Sequence, residues 1–248
     1  TKGKALRQFN TNLLTAHGMA LAREDHVEYL WAADPGAHRD PYNGYEYQPG
    51  RRNGSVVKLS LDGKVAQTLE RPNISIYEEG SYSPTSVTVH QLGMGGNGDI
   101  WTADGYGENY VHRYTEGGEY VTSLSGKEGR AGRFNCPHNI WVDYRKSEPE
   151  LYICDRGNSR IQVYDLDGVF KRSFGEEIFT TPSAIAVHED FMLVAELQAR
   201  ITIIDNNDNL VGYIGENEVV CDRQGWPNQM DASGKLVRPK ELIKGKFN

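Results

Sequence analysis

The stretch LYICDRGNSRIQVYDLDGVFKRSF, residues 151–174, decides the fold. It reads as an apolar strand, a tight polar turn, a second strand, an Asp-Gly turn and a third strand, with Gly168 free to adopt the positive φ that such a turn needs. The short apolar run HNIWVD, 138–143, precedes it and completes a unit of four strands, a to d. The unit recurs. Pro84-Thr85-Ser86-Val87 leads into DIWTADGYGENYVHRYTEGGEYVTSL (99–124), and Pro182-Ser183-Ala184-Ile185 leads into MLVAELQARITIIDNNDNLVGYIG (192–215). A more divergent copy runs from Ala16-His17-Gly18-Met19 through YLWAADPG (29–36) to SVVKLSLDGKVAQTLE (55–70). Pro84, Pro137 and Pro182 are 53 and 45 residues apart, the period of a four-stranded propeller blade. The fold class expected is therefore all-β, a β-propeller, with residues 1–248 forming a single domain.

Composition agrees. Of 248 residues, 27 are glycine and 14 tyrosine, as many short strands, tight turns and aromatic packing require. The net charge of −7 argues against nucleic acid as the partner, because neutralising phosphates takes clustered Lys and Arg. No apolar run approaches the roughly 20 residues that span a bilayer, and the start TKGKALRQFN is not a signal peptide. The expectation is a soluble chain with no membrane partner and no targeting segment; its compartment stays unknown. Three cysteines make no disulfide framework, and Cys154, inside an apolar strand, reads as a core residue.

If strand a runs down the inner channel and b returns, the start of a, the end of b and the b–c corner share one end of the ring. That end collects His17 and His138 from strand starts, and Asp34, Asp104-Gly105-Tyr106, Asp155-Arg156 and Glu196-Leu197-Gln198 from the corners. An Asp or Glu recurs at 34, 104, 155 and 196, so its first reading is a turn device that accepts backbone N–H bonds. Residues that differ between copies are the functional candidates. Two imidazoles could bind a divalent metal, a tyrosine could act as base and an arginine could hold a carboxylate. Two ligands are fewer than the usual three of a catalytic zinc site. The first copy also carries an insert, GAHRDPYNGYEYQPGRRNG (36–54), in the b–c corner. Its Tyr42, Tyr45, Tyr47 and Arg52 suit a ligand with apolar and anionic parts, with Arg52 and Tyr45 as substrate-binding candidates; the other reading is a surface loop.

The run PHNIWVD followed by LYICDRGNSRIQVYDLDG resembles the NHL repeat. Within that group ADGYGENYVHRY (103–114), GRFNCPHNI (132–140) and ICDRGNSRIQVY (153–164) resemble the peptidyl-α-hydroxyglycine α-amidating lyase branch. The resemblance covers roughly residues 17–175, and the repeat pattern alone extends to about 216. It implies a six-bladed propeller with a central zinc on three histidines, a calcium ion deeper in the channel, and a tyrosine and an arginine that carry the chemistry. Carried over by motif, His17 and His138 become metal ligands, Tyr106 the base and Arg156 the partner of the substrate carboxylate. The implied reaction is metal-assisted C–N cleavage of a peptide-derived or other small carboxylate-bearing substrate.

The chain departs from that pattern in lacking a third Pro-His step and a counterpart of the family's N-terminal arginine, since Arg7 has no matching surroundings. Lys244-Gly245-Lys246-Phe247-Asn248 echoes Gly132-Arg133-Phe134-Asn135, which stands just before Cys136-Pro137-His138, so a third step would be expected beyond Asn248. Residues 216–242 read as a degenerate stretch, and ALRQFNTNLL (5–14) as a candidate outer strand that closes the ring on the last blade. Five blades and six both stay open. Two functions remain: a lyase-like enzyme, or a non-catalytic NHL binding module whose ring face holds a protein, peptide or small ligand.

Overall fold

The computed structural model describes residues 3, 5, 7–37, 39–40, 46–47, 50, 52–217, 229–230 and 236–237. Blade 1 comprises β1 (Met19–Glu24) and β2 (Val27–Asp34), then, beyond the small hairpin β3 (Arg39–Asp40) and β4 (Glu46–Tyr47), β5 (Ser55–Ser60) and β6 (Val65–Leu69). A short helix, α1 (Ile76–Glu79), leads to blade 2: β7 (Ser86–Val89), β8 (Ile100–Ala103), β9 (Val111–Tyr114) and β10 (Tyr120–Leu124). Blade 3 is β11 (Pro137–Asp143), β12 (Glu150–Asp155), β13 (Arg160–Tyr164) and β14 (Phe170–Phe174). Blade 4 is β15 (Pro182–His188), β16 (Phe191–Glu196), β17 (Arg200–Ile204) and β18 (Leu210–Ile214). A last hairpin pairs β19 (Gln229–Met230) with β20 (Leu236–Val237). The four blades are four-stranded antiparallel sheets in simple meander order, and the first strands of consecutive blades touch, β1 to β7, β7 to β11 and β11 to β15. This is a propeller arrangement.

Blade 3 shows why its sequence reads as unbroken apolar runs instead of clean alternation. Leu151, Ile153 and Tyr164 pack with Trp101 and Val111 of blade 2, while Tyr152, Cys154, Ile161 and Val163 pack with Ile185, Met192 and Val194 of blade 4. Both faces are covered, so both parities are apolar. The outermost strand, Phe170–Phe174, loses this cover and alternates. Cys154 is a core residue, and burial pushes its thiol pKa up.

The turns repeat as faithfully as the strands. The c–d turns place Gly63, Gly118, Gly168 and Asp208 at positive φ, and a residue one or two before the third strand is left-handed at Asn109, Ser159 and Ala199. Non-glycine residues are uncommon there. Their shared position marks a corner whose geometry the blade imposes.

The described residues of 5–14 form no strand, and their contacts are with blade 1 in place of the outer strand expected on the last blade. Leu13 packs on Ala32, Val57 and Leu59 of blade 1, and the backbone N–H groups of Leu14 and Thr15 donate to Asp34. An apolar face and a buried carboxylate of blade 1 thus satisfy the segment locally. Among the described residues no helix is long and apolar enough to cross a membrane.

Candidate functional site

The four corner carboxylates hold the ring end together. Asp34 accepts from the N–H groups of Leu14, Thr15 and Gly36 and from Arg52. Asp155 accepts from the Asn135 N–H (2.7 Å), Asn158, Arg160 and Gln162. Glu196 accepts from the Thr181 N–H, the Thr180 hydroxyl, Arg200 and Thr202. Asp104 accepts from the N–H groups of Ser83 (2.6 Å) and Glu108 (2.7 Å) and from the Tyr77 hydroxyl. Each carboxylate ties the loop before its blade to the b–c corner after it, the turn device expected from recurrence.

The residue after each of three of these corners is then aimed by one backbone bond: the N–H groups of Tyr106, Arg156 and Leu197 donate to the carbonyls of Ser83, Cys136 and Thr181. These three side chains occupy equivalent places. So do His17, Thr85, His138 and Ser183, each standing one residue before the partner of Ala33, Ala103, Cys154 or Ala195, namely Gly18, Ser86, Asn139 and Ala184. The counterparts of the histidines are thus Thr85 and Ser183, each directly after a repeated proline.

The structure brings His17, Tyr106 and His138 together. His17 Nε2 lies 3.1 Å and His138 Nε2 2.9 Å from the Tyr106 hydroxyl, and the imidazole centroids are 4.8 Å apart. Arg156 places its guanidinium carbon 5.5 Å from the centre of the Tyr106 ring. Each histidine reaches round the ring to its neighbouring blade, His17 Nδ1 to the Thr85 carbonyl (2.8 Å) and His138 Nδ1 to the Ser183 carbonyl (2.7 Å). A carbonyl can only accept, so Nδ1 carries the proton in both rings. Burial, then Arg156 and His17, hold the His138 pKa well below its ordinary value; burial also lowers that of His17, with Arg156 adding to it. Two neutral imidazoles therefore present bare Nε2 lone pairs to one hydroxyl, whose single proton can satisfy one of them at a time.

Paired Nε2 lone pairs, each with Nδ1–H fixed by a carbonyl, are how histidines present themselves to a divalent cation. No group of three or more His, Cys, Asp or Glu that could hold a metal occurs among the described residues; His17 and His138 contribute two nitrogen donors. Glycine permits the close assembly. A Cβ on Gly105 would lie 2.4 Å from the Pro137 carbonyl oxygen and 2.7 Å from Thr85 Oγ1, and one on Gly18 would lie 2.4 Å from the Thr85 carbonyl oxygen.

Arg52 lies elsewhere. Its Nη2 donates to Asp34 (2.9 Å) and to the Asn12 carbonyl (2.6 Å), so its contacts are those of the first corner clamp. Tyr45, with Tyr42, His38 and Arg51, falls outside the described residues, as does most of 216–242. Sequence reading missed the Thr85 and Ser183 carbonyls that set the histidine tautomers, whose one signal is their place after the repeated Pro84 and Pro182. It also missed Tyr77, which lies between blades and outside any repeat.

No protein-family model matches the chain. Among curated proteins it is similar to NHL repeat-containing protein 3 of Homo sapiens, 29% identical over 235 residues that cover 90% of this chain and 60% of the relative. The Mus musculus protein of that name is 26% identical over 234 residues, with the same coverage. The chain thus spans about 60% of the length of these relatives. Among solved structures it is similar to virginiamycin B lyase from Staphylococcus aureus, at a TM-score of 0.55 and 13% identity over 93% of this chain and 71% of that one. A catalytically inactive variant of that lyase, solved with quinupristin, gives a TM-score of 0.56 and 15% identity over 96% and 74%. At that identity the solved structures speak to the fold alone. Repeated blades, shared registers and these relatives together support an NHL-type β-propeller.

Proposed function

We propose that this propeller is a lyase-type catalyst that cleaves a carbon–nitrogen bond in a small carboxylate-bearing substrate on the ring face. The observation that carries the reading is the convergence of His17 Nε2 and His138 Nε2 on the Tyr106 hydroxyl, with Arg156 against the Tyr106 ring. His17 and His138 would hold a zinc ion, which when bound supplies Lewis acidity toward the substrate hydroxyl oxygen. Arg156 offers planar donors to a carboxylate. Tyr106, in its ionised form, would accept the carbinol proton, the C–N bond would break with its electron pair passing to nitrogen, and Tyr106 would return the proton to that nitrogen. For a peptidyl-α-hydroxyglycine the products are an amide and glyoxylate, and no water is consumed. The lyase resemblance of 103–114, 132–140 and 153–164 supports this substrate class, and the likeness in fold to virginiamycin B lyase is compatible with it.

A second reading is a binding module in which the same residues hold a carboxylate-bearing ligand or protein segment without turnover. The metal donor set of two among the described residues favours it.

The test is to incubate the metal-replete protein with an N-acyl-α-hydroxyglycine and assay glyoxylate, with bound metal quantified in parallel. Turnover that falls at least 100-fold in Tyr106→Phe with metal content retained, together with loss of tight metal binding in His138→Ala, is the expected result. No glyoxylate and no bound metal in the unmodified chain would overturn the lyase reading in favour of the module.

A further inference from the structure

Three of the four corner carboxylates meet an arginine: Asp34 meets Arg52 (2.9 Å), Asp155 meets Arg160 (2.9 Å) and Glu196 meets Arg200 (2.8 Å). Asp104, the carboxylate of the corner that carries Tyr106, meets none among the described residues. Strand register gives the reason for blades 3 and 4 against blade 2, while in blade 1 the arginine comes from the insert before Ser55, the residue opposite Asp34. Asp155 pairs across the sheet with Arg160 and Glu196 with Arg200, whereas Asp104 lies opposite Tyr110. Two positions further along, Gln162 and Thr202 donate directly to their carboxylates, and blade 2 has His112 instead.

Tyr77 of α1 fills the space between. Its hydroxyl lies 2.8 Å from Asp104 Oδ2 and 2.6 Å from His112 Nε2. On the far side of the imidazole, Nδ1 lies 2.8 Å from Ser123 Oγ, which in turn lies 2.8 Å from the hydroxyl of Tyr120, an exposed residue on the outer strand. With Asp104 ionised, every bond in this row points inward: Tyr120 donates to Ser123, Ser123 to Nδ1, Nε2–H to Tyr77, and Tyr77 to Asp104. With Asp104 protonated the whole row reverses, and no heavy atom has to move. The cost falls on one contact. Oδ2 also accepts the Glu108 N–H, and a hydroxyl oxygen accepts less well than a carboxylate oxygen. Glu108 and Tyr106 share one turn.

We propose that Tyr77 and His112 are positioning residues for Tyr106, acting through Asp104, and that the row from Tyr120 to Asp104 lets one proton tighten or release the Tyr106 corner. The titratable groups packed around Asp104 are Glu108 on the corner, Tyr77 on α1, Tyr82 beyond it, and Tyr110, His112 and Tyr114 along the third strand; among the described residues no Lys or Arg forms an ion pair with it. Burial raises the Asp104 pKa to about 7, which places the change near neutrality, and burial lowers His112 to about 3, so the imidazole relays the proton without storing charge. The consequence for turnover rests on the lyase reading of Tyr106. The switch itself does not.

The experiment is therefore run without substrate: amide and carboxyl NMR shifts of the full chain between pH 5 and 9, with Asp104→Asn used to assign the carboxyl signal. The expected result is one midpoint near 7 shared by the Asp104 carboxyl and the Glu108 and Tyr106 amides. Tyr77→Phe removes a hydrogen bond to the charged form and should raise that midpoint by about one to two pH units. Tyr110→Arg restores the clamp of the other blades and should take the midpoint below pH 5, leaving the corner unresponsive near neutrality. Ser123→Ala, which interrupts the row near the surface, is the variant to use if Tyr77→Phe does not fold, and it should also move the midpoint. Amides that ignore pH in the unmodified chain, or a midpoint unmoved by these changes, would overturn the inference whether or not the protein turns over an α-hydroxyglycine. If it does, the same midpoint should appear in kcat and shift with Tyr77→Phe; a kcat profile without it would leave the corner switch standing and disconnect it from turnover.

Discussion

Substituting Asp155→Asn should cost the fold far more than Asp104→Asn, although the two carboxylates occupy equivalent corners and both are fully buried. At Asp155 four donors converge on the carboxylate, the Asn135 N–H, Asn158 Nδ2, Arg160 Nε and Gln162 Nε2, all within 3.0 Å. An amide in its place can accept from some of them but turns its own NH2 toward the rest, and it leaves the Arg160 guanidinium, 10% exposed, with Glu176, which is 64% exposed, as its acidic partner. Stranding a buried charge in this way costs about 3–5 kcal/mol. At Asp104 no arginine is stranded. After Asp104→Asn the side-chain amide oxygen can still accept the Ser83 N–H, its NH2 can donate to the Tyr77 oxygen, and the change removes a carboxylate that burial disfavours. The net loss should be about 1 kcal/mol, essentially the Glu108 N–H bond. Urea unfolding at pH 7.5, followed through tryptophan fluorescence, measures both. For a chain of this size the larger loss lowers Tm by roughly 6–20 °C. Equal losses for the two variants, or an Asp155→Asn protein within about 1 kcal/mol of the unmodified one, would refute the view that arginine, not hydrogen bonding alone, sets the worth of each corner.

Two further outcomes follow from the same geometry. Neutral buried His112, lowered to about 3, gives stability that is present above the unfolded value of 6.5 and lost as pH falls, whereas Asp104, raised to about 7, gives stability present below 3.8 and lost as pH rises. Between about pH 4 and 6.5 these slopes, about 1.4 kcal/mol per pH unit each, cancel, so the lowered His17 and His138 should make the fold weaken on acidification; His138→Ala should flatten the fall between urea curves at pH 7 and pH 5, and an unchanged slope would count against it. Gly105→Ala drives a Cβ into the Pro137 carbonyl and Thr85 Oγ1 and should cost about 1–3 kcal/mol in urea unfolding while displacing Tyr106, seen as changed His17 and His138 ring shifts by NMR.

The blades were legible because their signals are local. The Asp-Gly turn at 167–168 and the apolar runs 151–155 and 160–164 name their own strands, and the corner carboxylates announce themselves by repeating. His17, Tyr106, His138 and Arg156 could be gathered on one face for the same reason, since register converts a repeat into a place on the ring. What stayed hidden depends on contacts between blades. The tautomers of the two histidines are set by carbonyls 68 and 45 residues away, and Tyr77 acts from a linker that belongs to no repeat. The pairing of Arg52 with Asp34 was hidden for the same reason: Asp34 lies opposite the start of β5, just beyond the insert, and only the fold brings the two together.

Each ring position at the channel mouth reaches toward the next blade: His17 to Thr85, Thr85 through its hydroxyl to the Pro137 carbonyl, and His138 to Ser183. The Nε2 of His17 is therefore aimed by blade 2 and that of His138 by blade 4, while Tyr106 between them hangs on a corner whose carboxylate has traded arginine for a tyrosine and a histidine. Four successive blades thus suffice to define the arrangement of His17, Tyr106 and His138. The rigid members of that arrangement are the imidazoles, locked by neutral backbone bonds that no titration near neutrality breaks. Under the switch inferred above the phenol is the adjustable member, because burial raises the pKa of its corner carboxylate, Asp104, to about 7. If the ring face is the lyase site proposed above, the two fixed nitrogen donors would serve as ligands and the hydroxyl between them as the acid-base group.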